Sequence, residues 1–338
     1  MERSAGILLP VFSLPGDYGI GTLGREARTF IDFLHAAGQR WWQVLPVGPS
    51  GAGNSPYTSV STFAGNPLFI DPEDLADRGL LTKEDLAAAK LPWAAVDYGA
   101  VYARREALLR RAFSRLSGAE AQKVRNFAVQ RPWLREYALY RALKTRFGEA
   151  AWTDWPDRAL RDHEAAAVEA ARRELAEEIA YHEAVQFWFF SQWEAMKQYA
   201  NGLGVKIIGD LPIYVSLDSA DVWSEREQFL LDGAGRPSKV AGVPPDYFSA
   251  DGQLWGNPLY NWSAMKAAGG SEGWRAPPAS LTPSASTTSG PLSATGPFPP
   301  GRRAPERAGG NRGPAWICWG SSPAGSPTSP TSPRTWGS

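Results

Sequence analysis

The sequence predicts an α/β protein in which helices alternate with short, buried, parallel strands. Two copies of one pattern carry that reading. In the first, apolar positions Ala27, Phe30, Ile31 and Leu34 fall on one helical face. Gly38, suited to the left-handed end of a helix, then leads into the apolar run at 41–47. In the second, a helix carrying Phe187, Phe190, Trp193 and Met196 stops at Asn201-Gly202 and gives way to an apolar run at 205–210 that ends in Asp210. Helix, short loop, apolar strand and a polar residue at the strand tip is the repeating unit of a parallel sheet. A third observation bears on the type of sheet. Gly16, Gly19 and Gly21 follow no strand, so no G-x-G-x-x-G fingerprint opens a helix. Of the two α/β architectures, a (β/α)8 barrel and a Rossmann-like sheet, the second lacks its signature.

The elements can be taken in order. Thr22 is placed to cap the first helix through its hydroxyl. Between about 75 and 180 lie Ala-, Arg- and Glu-rich stretches, such as 161–179, that predict the exposed helices of an inserted subdomain. Residues 240–262 are punctuated by Gly242, Pro244, Pro245, Gly252, Gly256 and Pro258, and predict a long structureless loop. From Ser271 onward the composition changes. The last 68 residues contain 13 prolines and no Lys, Asp, His, Tyr, Val, Met or Gln. The expected division is 1–270 for a folded part and 271–338 for a disordered tail.

Composition excludes several functions. The 35 basic and 35 acidic side chains cancel without long runs of one sign, which argues against a grip on nucleic acid or an anionic membrane. The apolar run Ile7-Leu8-Leu9 is too short for a signal peptide or a span, so a cytoplasmic location is expected. One cysteine, Cys318, forms no disulfide framework. His35, His163 and His182 have no ligand spacing, and the Asp218/Asp221 pair is the common spacing of acids in a turn; neither metal nor cofactor is expected. The 15 tryptophans and 11 tyrosines suit a sugar site, where ring faces lie on pyranose faces, although a Trp-rich core uses them equally well.

Three segments concentrate the candidate chemistry. One runs from Gly6 to Gly24 and continues through 41–48 to Ser55-Pro56-Tyr57. A second, 206–215, is followed by Asp218 and Asp221. The third is the 240–262 loop, which presents Asp246, Tyr247, Gln253 and Trp255: flat aromatic surfaces beside acceptors for hydroxyl groups.

These segments resemble the 4-α-glucanotransferases of the amylomaltase (disproportionating enzyme) type, glycoside hydrolase family 77, over roughly residues 4–265. The resemblance implies a (β/α)8 TIM barrel with helical insertions, truncated here before the barrel closes. It implies transfer of α-1,4-glucan segments to the 4-hydroxyl of glucose or a glucan by a retaining double displacement, with malto-oligosaccharides as partners. It also implies that Ser55 and Tyr57 line the sugar subsites, that Asp210 faces the sugar from a strand tip, and that the loop with Asp246, Tyr247, Gln253 and Trp255 arches over the bound chain. In one departure, the stretch Gly51-Ala52-Gly53-Asn54 lacks an aromatic that some members place before Ser-Pro-Tyr.

Such a reaction needs a nucleophilic carboxylate and an acid/base carboxylate. The family's segments for them, Arg-Ile-Asp-His-Phe-Arg and one close to Ile-Ala-Glu-Asp-Leu-Gly, do not occur, so no catalytic residue is assigned. A third acid, usually in a Thr-His-Asp-Asn segment, is expected beyond residue 338. The genetic code explains the missing pair. Codons CGC-ATC-GAC-CAC-TTC-CGG, read one nucleotide later, spell Ala-Ser-Thr-Thr-Ser-Gly, which is 285–290. Codons ATC-GCC-GAG-GAC-CTG-GGN, shifted alike, spell Ser-Pro-Arg-Thr-Trp-Gly, which is 332–337. Two motifs in one shifted frame indicate a frame slip between Lys266 and Ala279. The expected consequence is an inactive chain. The alternatives are a non-catalytic glucan-binding remnant and an α-glucan hydrolase of the same barrel class.

Overall fold

The computed structural model describes residues 3–92, 95–247 and 249–267. The tail expected to be disordered, 271–338, lies outside the described residues.

Three parallel strands, β1 (Gly6–Leu8), β2 (Trp41–Gln43) and β3 (Lys206–Ile208), form a sheet in the order β1-β2-β3. Ile7, Trp42 and Ile207 lie in register, and the central Trp42 is fully buried. Trp42 donates its indole N–H to the Leu9 carbonyl at 2.7 Å, so its one polar atom is satisfied. With helices between the strands this is an α/β architecture, as expected. The strands are shorter than the apolar runs. The 41–47 run leaves the ladder just after Val44 because Pro46 has no N–H and restricts Leu45. In the 205–210 run the ladder ends at Ile208, and Asp210 sits two residues beyond it.

Helix α1 (Arg25–Ala36) connects β1 to β2 and buries Ala27, Ile31 and Leu34. Phe30 meets the Trp42 ring edge-on at 5.2 Å. Thr22 is not its cap. The helix starts after Gly24, and the buried Thr22 hydroxyl faces Asp71 Oδ1 at 3.4 Å. A Cβ at Gly24 would stand 1.9 Å from Asp71 Oδ2, so this close approach, rather than a hydroxyl, defines the helix entry.

The chain between β2 and β3 is mainly helical: α2 (Pro72–Asp77), α3 (Lys83–Ala89), α4 (Tyr98–Ser114), α5 (Gly118–Val129), α6 (Pro132–Arg146), α7 (Arg158–Arg161), α8 (Ala165–Glu174) and α9 (Ala176–Gly202). The 161–179 stretch is not one element. It divides at His163, whose positive φ of 55° turns the chain between α7 and α8. Beyond it, α9 runs 27 residues without a breaker and absorbs the rest of the stretch. Its centre is apolar around most of its circumference, as a buried helix should be, with Trp188, Phe189, Trp193 and Met196 almost wholly enclosed. It packs against α1, α4, α5 and α6.

Two glutamines of α9 fasten the chain leaving β2. The Gln186 amide accepts from Gly65 N at 2.8 Å and donates to Gly65 O at 2.9 Å. Gln192 does the same with Asp71, at 2.7 and 3.1 Å. Each side chain pairs a buried peptide as a strand neighbour would. Gly65 is needed because a Cβ there would fall 1.9 Å from the Phe189 ring.

The structureless loop expected at 240–262 is instead an antiparallel pair, β4 (Val240–Val243) and β5 (Gln253–Pro258), preceded by α10 (Ala220–Ser224) and followed by α11 (Trp262–Ala267). The Gly and Pro residues sit at its turn and at a bulge between Val240 and Gly242, where they interrupt pairing only locally. Among the described residues, no helix is long and apolar enough to cross a membrane.

Candidate functional site

The loops leaving the C-terminal ends of β2 and β3 converge. Tyr57, on the first, donates its hydroxyl to Asp210 Oδ2, on the second, at 2.7 Å. Partial burial, then the bond to Asp210 and its negative charge, push the Tyr57 phenol up to about 12, so it stays a donor at neutral pH. The residue as a whole remains 47% exposed, so part of its surface is open to a ligand.

A tight turn holds Tyr57 in place. The Ser55 hydroxyl accepts the Tyr57 N–H at 3.3 Å, and the Ser55 carbonyl accepts both the N–H and the hydroxyl of Thr58, at 3.1 and 2.9 Å. Ser55 therefore shapes the turn in this structure as well as standing beside the candidate surface. The same loop is tied to the chain after Asp210. Ser216 N donates to Ser59 O at 3.0 Å, and Ala220 N to Val60 O at 2.9 Å. A small cavity of about 30 Å³, lined by Pro46, Val47, Ser61, Trp193, Asp210 and Val215, lies where the two loops meet.

Asp218 and Asp221 serve as hydrogen-bond hubs with different partners. Asp218 accepts from the Tyr140 hydroxyl (2.7 Å), Lys144 Nζ (2.7 Å) and Trp152 N (3.1 Å). Asp221 accepts Thr62 N at 3.1 Å, and burial pushes its carboxyl up to about 6 against the lowering effect of that bond.

The hairpin gathers the other candidates. Asp246 Oδ1 accepts Ser249 N at 2.8 Å while Asp246 N donates to Ser249 O, which closes the turn next to Tyr247. Tyr247 is 90% exposed. On β5, Gln253 and Trp255 project from one face. The indole N–H donates to Gln253 Oε1 at 3.1 Å, orienting the side chain of a residue that is 44% exposed. The structure thus brings Ser55, Tyr57 and Asp210 into one cluster, and Asp246, Tyr247, Gln253 and Trp255 into another. They are joined through the segment just past Asp210: Asn257 Nδ2 donates to Val215 O at 2.8 Å, the Tyr260 hydroxyl to Ile213 O at 3.0 Å, and Tyr260 stacks on Tyr214.

Sequence reasoning missed two residues. Tyr102, on α4, donates to Asn54 Oδ1 at 3.1 Å and lies 3.4 Å from the Ser50 hydroxyl, so the 50–54 loop carries a neighbouring aromatic although it contains none. Arg105, one turn further along α4, is 97% buried by the complement of its 3% exposure. A signal for it existed. It interrupts the otherwise apolar stripe of Val101, Leu108, Leu109 and Ala112.

Residues 9–275 match the family model for 4-alpha-glucanotransferases of glycoside hydrolase family 77. The 4-alpha-glucanotransferase of Thermus thermophilus is 50% identical over 274 residues, covering 80% of this chain and 54% of the relative. That of Aquifex aeolicus is 47% identical over 270 residues, covering 79% and 54%. The structure of amylomaltase from Streptococcus agalactiae in complex with acarbose superposes with a TM-score of 0.76 at 41% identity, over 79% of this chain and 55% of that one. The chain therefore spans about half the length of the curated relatives it matches. On the family match across most of its length, the chain belongs to glycoside hydrolase family 77, the 4-alpha-glucanotransferases.

Proposed function

We propose that this chain carries the front part of the sugar-binding face of an enzyme that transfers α-1,4-glucan segments to the 4-hydroxyl of glucose or a glucan. The observation that carries the reading is the Tyr57–Asp210 hydrogen bond at the C-terminal ends of neighbouring parallel strands. In a (β/α)8 barrel that end holds the chemistry, and the three parallel strands described here are read as the first part of such a barrel, truncated before closure and carrying the helices of about 75–180 as an inserted subdomain. In this reading Tyr57, Asp210 and Ser55 contact one glucose unit. Tyr247 and Trp255 offer ring faces to the glucan, while Asp246 and Gln253 offer acceptors to its hydroxyls.

The 338-residue chain lacks the family's two carboxylate segments, so it is expected to bind glucan without turning it over. A frame slip between Lys266 and Ala279 accounts for the loss, and the family match, which ends at residue 275, ends within that window. In this reading 271–338 is an out-of-frame tail. Maltotriose tests the two parts together. The 338-residue chain should yield no longer oligosaccharides, whereas a gene restored to frame and continued through the third acid should yield them. Transfer products from the 338-residue chain, its tail verified by mass spectrometry, would refute the assignment of inactivity. Release of glucose and maltose alone from the restored enzyme would favour the hydrolase. Resequencing codons 266–279 tests the slip itself.

A further inference from the structure

Parallel sheets occur with both faces covered, because their crossover helices lie on the faces. One face of the β1-β2-β3 sheet meets this rule. Phe30 of α1 packs on Trp42, and Trp42 and Ile207 are buried. The opposite face carries Gly6, Trp41 and Lys206 in one row and Leu8, Gln43 and Ile208 in the next. None of these six is buried, and Leu8 is 54% exposed. The two edges of the sheet are open as well. Leu9 N donates to Gln43 O, Lys206 N donates to Arg40 O and Ile208 O accepts from Val44 N, so these groups point toward β2. Backbone groups of successive residues in a parallel strand point to opposite sides. Those of Leu8 and Ile207 therefore point outward, where no strand pairs with β1 or β3 among the described residues.

We propose that this open face and its two edges dock a separate polypeptide that supplies the remaining parallel strands of the barrel. The inference rests on the barrel reading above and goes beyond it in assigning the two parts of the fold to two chains. What is missing defines the occupant. The chain covers 54% of its Thermus relative, and the family match ends at residue 275. A (β/α)8 barrel closes with eight parallel strands, and three are described here. The partner has to pair with β1 and β3 at once and cover Leu8, Trp41 and Ile208 between them. A second copy of this chain brings three strands and leaves the ring short. Residues 271–338 are a poor match, because their 13 prolines lack the N–H that a strand ladder needs. Exposed apolar side chains beside two unpaired parallel edges form a surface suited to such an assembly.

Co-expression of the tagged 338-residue chain with an untagged chain, the C-terminal part of the Thermus relative that the match leaves uncovered, tests the proposal. The two should copurify, and light scattering should give a one-to-one mass. Leu8→Glu puts a charge where the partner closes over the sheet, and should weaken the complex roughly tenfold or more. Because Leu8 is exposed, the melt of the 338-residue chain alone should barely change. Val129→Glu, at an 85% exposed position on α5, is the control and should leave the complex intact. Absence of a complex, a complex equally tight with Leu8→Glu, or one weakened as much by Val129→Glu would overturn the proposal. A homodimer of the 338-residue chain that Leu8→Glu dissociates would also overturn it, by assigning the face to a second copy. Maltotriose separates this proposal from the glucanotransferase reading. A one-to-one complex that is sensitive to Leu8→Glu but yields no transfer products would uphold the docking and count against that reading.

Discussion

Tyr57 and Asp210 are separated by 153 positions in sequence and by 2.7 Å in space. Their contact depends on the parallel pairing of β2 with β3, which sends both exit loops to the same end of the sheet. Removing the hydroxyl with Tyr57→Phe should cost about 0.5–1.5 kcal/mol of maltoheptaose binding, with little change in melting temperature. Titration calorimetry checks this. Undiminished affinity would show that the pair only braces the loops.

Trp255 gives a second test on the same ligand. If the ring of this exposed residue stacks on glucose, Trp255→Ala should lose at least about 1 kcal/mol of maltoheptaose affinity while the melt stays close to that of the parent chain. A large drop in melting temperature at unchanged affinity would assign the ring to packing of the hairpin.

Gln186 is a structural counterpart. Gln186→Leu keeps much of the volume but leaves the buried Gly65 N–H and carbonyl without the amide that pairs both. Denaturant unfolding should show a loss of about 2–5 kcal/mol. A loss below about 1 kcal/mol would mean that the 65–71 segment re-pairs elsewhere.

Stability should also respond to acid in a particular direction. Burial pushes Asp71 and Asp221 up to about 6, above the ordinary carboxylate range. The folded chain then holds these protons more tightly than the unfolded chain does. The contribution of both groups turns unfavourable as pH rises through about 4 to 6, and it remains unfavourable above that window. Asp221→Asn removes the proton exchange, so the stability difference between variant and parent should shift in favour of the variant as pH is raised from 4 to 7. A difference independent of pH in urea melts would contradict the assignment.

Arg105 shows how a local signal can be legible and still go unread. A charge inside an apolar helical stripe is visible in the sequence, but the stripe does not say whether the charge meets a carboxylate, a carbonyl or empty space. The hairpin at 240–258 shows a different limit. Its Gly and Pro residues read as loop because turn chemistry is local, whereas the pairing of Val240–Val243 with Gln253–Pro258 depends on a strand about ten residues away, as the register counts.

From the sequence alone, the α/β alternation, the helical character of the long stretch between the second and third strands and the three motif segments were determined, because periodicity and turn residues are properties of neighbouring positions. The family resemblance was determined there too, since it rests on long runs of residues. Tertiary structure decided what those residues do to one another. It ended the strands at Gln43 and Ile208, replaced the expected Thr22 cap with the approach of Asp71 to Gly24, and used Gln186 and Gln192 as peptide partners. It also brought Tyr57 onto Asp210 and enclosed one donor of Arg105 without a hydrogen-bond partner among the described residues. Each of these is a contact between segments far apart in the chain, and burial and hydrogen-bond satisfaction are settled only when those segments meet.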